Sequence, residues 1–90
     1  MIITRPYEAE DNELNKEMFD ILVKYLAKEK IEPSEIQIYG SAVNAICGDV
    51  EYYISKAEGC RARTYEKRNY FYMQKKQDGK RKRIKKEEWL

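Results

Sequence analysis

The chain has 90 residues, of which 42% are hydrophobic and 38% are charged, with a formal net charge of +2. This length holds one small domain, and no apolar run forms a secretory leader or approaches the ~20 residues that cross a bilayer. The sequence has no histidine and only two cysteines, Cys47 and Cys60, too few for a disulfide framework or a common zinc site. We therefore expect a cytoplasmic protein that is not an enzyme and has no catalytic residue, metal or cofactor.

The charge is divided between two segments. Met1 to Cys60 holds 6 Lys/Arg and 12 Asp/Glu, a net charge of −6, whereas Arg61 to Lys86 holds 12 Lys/Arg against Glu66 and Asp78, a net charge of +10. Clustered cations release the counterions condensed on phosphates, so this division indicates a nucleic-acid partner. We expect DNA rather than RNA and no membrane. Two further alternatives are a protein partner and a homodimer. A homodimer would bury more surface than so small a chain buries alone.

Residues 1–10 contain Pro6 and no helical period, which predicts an N-terminal arm before a single small α+β domain over residues 11–90. Asp11 or Asn12 can cap a helix that follows, and apolar residues then recur every three or four positions. Pro33 disfavours helical geometry at the residue before it, so this helix should end near Lys30.

Residues 33–40 fit either a helical turn or a strand. From Ser41 to Ala57 the apolar residues again step by three and four, which predicts a second helix with Ser41 as its cap. Gly48 would lie inside that helix, where it costs about 1 kcal/mol relative to alanine.

The apolar period changes to two after Arg61, and Asp78-Gly79 is the residue pair of a type I′ hairpin turn. Placing this pair in the turn puts Met73 opposite Ile84, with Phe71 on the same face. The other face then carries aromatic, amide and basic residues: Tyr70, Tyr72, Gln74, Lys76, Arg81, Arg83 and Lys85.

These elements predict an α+β fold of two amphipathic helices packed against a C-terminal antiparallel β-hairpin, an arrangement that resembles a winged helix. The expected core consists of apolar residues from all three elements: Leu14, Met18, Ile21, Leu22, Tyr25, Val43, Ile46, Val50, Ile54, Phe71, Met73 and Ile84.

The hairpin register places like charges opposite each other, Lys76 with Arg81 and Lys75 with Lys82. Such pairs are destabilising unless an anion relieves the repulsion, so we predict that the hairpin binds phosphates. Its tyrosines would either stack on bases or sugars or hold the guanidinium groups by cation–π contact. The alternative is a solvated tip that prevents edge-to-edge aggregation. The predicted nucleic-acid-binding residues are Arg61, Arg63, Arg68, Tyr70, Tyr72, Lys75, Lys76, Lys80, Arg81, Lys82, Arg83 and Lys85.

The stretch from Asp78 to Trp89 has a wing-like turn, a basic strand with an isolated Ile84, and an acidic helix start. It resembles the wing and exit strand of small winged helix-turn-helix proteins of the excisionase-like and MerR-like kind, from phages and mobile elements. The resemblance implies a DNA-binding accessory or regulatory factor whose wing contacts the backbone or the minor groove. The alternative is a small phage or mobile-element inhibitor that binds a host nucleic-acid enzyme.

Overall fold

The computed structural model describes residues 1–6, 12–56 and 70–89, and within them six strands form one sheet beside one long helix. The elements in chain order are β1 (Ile2–Thr4), α1 (Glu13–Lys28), β2 (Glu35–Ile38), β3 (Ala42–Cys47), β4 (Val50–Lys56), β5 (Phe71–Gln77), β6 (Lys80–Ile84) and α2 (Lys86–Trp89). The strands lie side by side in chain order. β1 runs parallel to β2, and every other neighbouring pair is antiparallel.

The predicted arrangement of two helices on a C-terminal hairpin, and with it the winged-helix-like fold, is wrong. The segment predicted as the second helix, Ser41 to Ala57, instead contains strands β3 and β4. Its β-branched and aromatic residues favour strands, and Gly48-Asp49 forms the two-residue turn between Cys47 and Val50. Gly48 has φ +65°, so it supplies the left-handed conformation that a hairpin turn needs rather than a weak point in a helix.

The first helix begins as predicted, with Asn12 as its N-cap. The Asn12 side chain accepts a hydrogen bond from the Asn15 backbone N–H at 2.8 Å, and the Asn15 side chain accepts one from the Asn12 backbone N–H at 3.3 Å. This reciprocal pair satisfies two N–H groups that a helix start would otherwise leave without partners. The helix ends at Lys28, close to the predicted end, and Lys30 then takes a left-handed φ of 58°.

The C-terminal hairpin is confirmed in turn type and register. Asp78 and Gly79 have φ of 54° and 76°, and a positive φ at both central positions defines the predicted type I′ turn. Met73 lies opposite Ile84, and both are buried with Phe71.

The core lies between α1 and one face of the sheet. Met18, Leu22, Tyr25, Val43 and Ile54 are buried there as predicted. Leu14, Ile21 and Val50 are only partly buried against this core. Buried core residues outside the predicted set are Leu26, Ile36, Ile38, Ala45, Tyr52, Tyr70 and Trp89.

Ile46 is the one predicted core residue that lies on the wrong face of the sheet. It pairs with Glu35 on one side and with Glu51 on the other, so strand alternation turns it away from α1, and it is half-buried. A helical period had grouped it with Val43, which in a strand points to the opposite face.

Both ends of the described chain attach to this body. Ile2–Thr4, within the predicted arm, form the edge strand β1 beside β2. At the other end Trp89 is buried, and Lys28 Nζ donates a hydrogen bond to the Glu88 carbonyl at 2.6 Å. Neither α1 nor α2 has the length and apolar composition that crossing a membrane requires.

Candidate nucleic-acid interface

Strand alternation gives the sheet an inner face, which packs on α1, and an outer face, which is turned away from it. Following the register across all six strands, one row of outer-face residues is entirely polar or aromatic: Thr4, Gln37, Asn44, Tyr53, Gln74 and Arg83. The neighbouring row consists of Ile2, Glu35, Ile46, Glu51, Lys76 and Arg81. Most of these side chains are not needed for the core, so they are available for recognition.

Hydrogen bonds hold the polar residues of β2 and β3 in place. Gln37 Oε1 accepts from Tyr39 Oη at 3.2 Å and from Asn44 Nδ2 at 3.4 Å. At the β1 end, Thr4 Oγ1 donates to Glu35 Oε2 at 2.9 Å. The amide of Asn44 and the phenol of Tyr39 are thereby fixed by one carbonyl oxygen.

Charge on the outer face changes sign across the sheet. Glu35 and Glu51 lie on β2 and β4, whereas Lys76, Arg81 and Arg83 lie on β5 and β6 and are exposed. Glu51 is directly opposite Lys76, which partly balances it. The positive end of this face is therefore the edge formed by β5 and β6.

Three tyrosines, Tyr39, Tyr53 and Tyr72, lie on the outer-face side of the sheet. Burial raises the pKa of Tyr53, the neighbouring phenols of Tyr72 and Tyr39 raise it further, and the Arg81 guanidinium opposes them. The raised pKa keeps the Tyr53 phenol protonated at neutral pH. The Arg83 guanidinium lies 5.5 Å from the Tyr72 ring centroid, within cation–π distance.

Tyr39, Tyr53 and Arg81 are among the residues that line a shallow depression of about 400 Å³, which is within the usual range for ligand sites. Tyr39 and Tyr53 provide aromatic rings, Asn44 and Gln74 provide amides, and Lys76 provides charge at one side. The remaining lining residues are Ser41, Ala42, Glu51 and Arg81. The depression combines stacking surfaces, hydrogen-bonding groups and cations.

The basic residues of the β5–β6 hairpin are divided between the two faces. Lys75, Lys80 and Lys82 lie on the inner-face side by alternation, and together with Gln77 and Asp78 they line a groove at the hairpin tip. Lys75 Nζ is 6.0 Å from the ring centroid of the buried Tyr52. The basic residues predicted to bind on this hairpin therefore form two groups, which lie on opposite faces of the sheet.

Some predicted site residues lie elsewhere. The prediction that Tyr70 is on the exposed face is wrong, because it precedes β5 and is buried edge-on against Phe71, with ring centroids 4.9 Å apart. Lys85 is exposed between β6 and α2, and Tyr72 is on the outer face as predicted. Arg61, Arg63 and Arg68 lie outside the described residues.

Sequence reasoning did not include Tyr39, Asn44 and Tyr53 in the site. Assigning residues 41–57 to a helix hid their common face, although Gly48-Asp49 followed by alternating Tyr52 and Ile54 is a hairpin signal. Within the described ranges there is no cluster of three or more His, Cys, Asp or Glu suited to a metal ion.

No family model, curated protein or solved structure matches this chain. The resemblance to excisionase-like and MerR-like proteins therefore stays a prediction.

Proposed function

We propose that this is a non-enzymatic, cytoplasmic nucleic-acid-binding protein whose β5–β6 hairpin contacts phosphates. The observation that carries the proposal is the three exposed cations at one edge of the outer face, Lys76, Arg81 and Arg83, beside the aromatic depression. A role as a DNA-binding accessory or regulatory factor of a phage or mobile element agrees with this chemistry.

The cost of the hairpin's charge supports a function beyond folding. Lys75 lies opposite Lys82, and Lys76 lies opposite Arg81 with Glu51 on its other side as a partial balance. Like charges across a ladder destabilise a sheet by roughly a few tenths of a kcal/mol per pair. Phosphates of a bound nucleic acid relieve this repulsion and release counterions. Because β6 is an edge strand, its charge also discourages edge-to-edge pairing, which is the alternative explanation.

The two groups of cations provide a matched experiment on one strand. The variant Arg81→Glu/Arg83→Glu reverses charge on the outer face, and Lys80→Glu/Lys82→Glu makes the same change in charge on the inner-face side. Affinity for duplex DNA, measured by fluorescence anisotropy across a salt series, should fall much more for the arginine variant. Its salt dependence should also flatten by about one unit of slope per lost contact.

Both variants should fold, because all four side chains are exposed. Equal losses in the two variants would mean that net charge alone governs binding, which contradicts a specific role for the outer face. If the arginine variant keeps its DNA affinity but loses a protein partner, the inhibitor function becomes the better explanation. If the parent protein binds neither DNA nor RNA at low salt, the proposal is wrong.

A further inference from the structure

We infer that the outer-face depression is a nucleobase site, so that the preferred ligand is an unpaired strand rather than a duplex. This inference rests on the proposed function and specifies its ligand. Proteins that bind single strands combine aromatic side chains, on which bases stack, with a positively charged path for the backbone. Tyr39 and Tyr53 with Lys76, Arg81 and Arg83 bring these two features together on one face.

The polar groups fit a base better than a phosphate inside the depression. Asn44 and Gln74 flank Tyr53 directly in the register, and their amides offer both donors and acceptors to the edges of an unpaired base. Asn44 Nδ2 donates a hydrogen bond to Gln37 Oε1 at 3.4 Å, so the orientation of the Asn44 amide is restrained before any ligand binds.

Glu51 sets the direction in which a strand binds. A carboxylate lining the depression repels phosphate but accepts hydrogen bonds from base N–H groups, including the imino N–H of thymine. The phosphates therefore lie towards β5 and β6, next to Lys76 and Arg81, while the base points towards β3 and β4. Three strand spacings, about 14 Å, separate β3 from β6 and leave room for both.

A duplex cannot use the depression in this way, because its bases are stacked and paired with their faces covered. A duplex therefore contacts the cationic edge, where the Arg83 guanidinium lies 5.5 Å from the Tyr72 ring centroid. The two modes of binding thus depend on different residues: an unpaired strand needs Tyr53, and a duplex does not.

The test uses fluorescently labelled strands of about 10 nucleotides, one of oligothymidine and one abasic strand with the same number of phosphates. The parent protein should bind oligothymidine about 5- to 100-fold more tightly than the abasic strand. Tyr53→Leu, which keeps apolar bulk and removes the ring, should abolish most of this difference while leaving the affinity for the abasic strand and for duplex within about twofold. Tyr53→Phe, which keeps the ring, should retain it.

Equal affinities of the parent for the oligothymidine and abasic strands would overturn the base site and leave the proposed phosphate-binding function standing. An equal loss for both strands in Tyr53→Leu would likewise overturn it. If no strand or duplex binds the parent at low salt, the proposed function fails together with this inference. Thermal melts of both variants check folding, and the Tyr53→Phe result and the parent's two affinities decide the question even if the leucine variant unfolds.

Discussion

The inner and outer faces of the sheet are formed by the same strands but differ in residue composition and burial. On β5, Met73 is fully buried in the core, whereas its neighbour Gln74 is half-buried on the outer face. The inner face is apolar because burial of nonpolar surface stabilises the fold. The outer face keeps tyrosines, amides and arginines that the core does not require, and this difference separates residues that hold the protein together from residues free to bind a partner.

The largest expected effect compares neighbours on β5. Met73→Ala leaves a cavity in the core and should lower the free energy of unfolding by about 2–5 kcal/mol, which a small domain hardly tolerates. Gln74→Ala should change it by no more than about 0.5 kcal/mol. Urea denaturation followed by circular dichroism measures both, and comparable losses would contradict the division into two faces.

The next effect concerns the helix that covers the inner face. Asn12→Ala removes the N-cap bond to the Asn15 N–H and the 3.4 Å bond from Asn12 Nδ2 to the Gly40 carbonyl, at a cost of about 1 kcal/mol. Asn12→Ser retains a capping oxygen and should recover most of the stability. An unchanged midpoint for the alanine variant would mean that the cap does not stabilise α1.

The β3–β4 turn decides which residues reach the outer face. Gly48→Ala places a side chain at φ +65° and should cost about 1 kcal/mol, because the left-handed conformation is unfavourable for alanine. Gly40→Ala is the control: Gly40 is not among the positive-φ glycines, and an added Cβ meets no atom within 4 Å. Equal effects at the two glycines in denaturant melts would argue against the two-residue turn.

The smallest effect is a loss of stability at alkaline pH. Burial raises the pKa of Tyr25 on α1, of Tyr52 on the inner face of the sheet and of Tyr53 on the outer face. Above the unfolded pKa of about 10, the native state therefore holds more protons than the unfolded state, and stability falls as pH rises. Tyr53→Phe should flatten this decline in denaturation measured from about pH 8 to pH 11. An identical decline in that variant would contradict the shift at Tyr53.

Local signals made part of this fold predictable. Asn12 followed by a helical period located α1, and Asp78-Gly79 defined the β5–β6 register, because caps and primed turns act through adjacent residues. The segment around Val43, Ile46 and Val50 was wrongly predicted to be a helix, since steps of three and four also arise when two strands with apolar residues on both faces follow each other. Gly48-Asp49 is a local signal for the β3–β4 turn, but the pairing of these strands with β2 and β5 is nonlocal and cannot be read from the apolar period.

The candidate site likewise contains residues that local signals could place and residues that depend on nonlocal pairing. Arg81, Arg83 and Tyr72 could be placed on one face from the turn alone. Tyr39 and Tyr53 join them only through the register between β2, β3 and β4, a nonlocal property of the sheet. The residues of the depression were therefore missed, whereas the exposed position of Arg81 and Arg83 on the outer face was predicted correctly.

The central claim, that the outer face binds nucleic acid, is tested most directly by side-chain amide signals in a nuclear magnetic resonance titration. Gln37, Asn44 and Gln74 report the outer face, and Gln77, on the inner-face side of the same hairpin, is the matched control. On adding the oligothymidine strand to isotope-labelled protein, the amide signals of Asn44 and Gln74 should shift while that of Gln77 stays in place. Shifts at Gln77 with Asn44 and Gln74 unchanged would contradict the account.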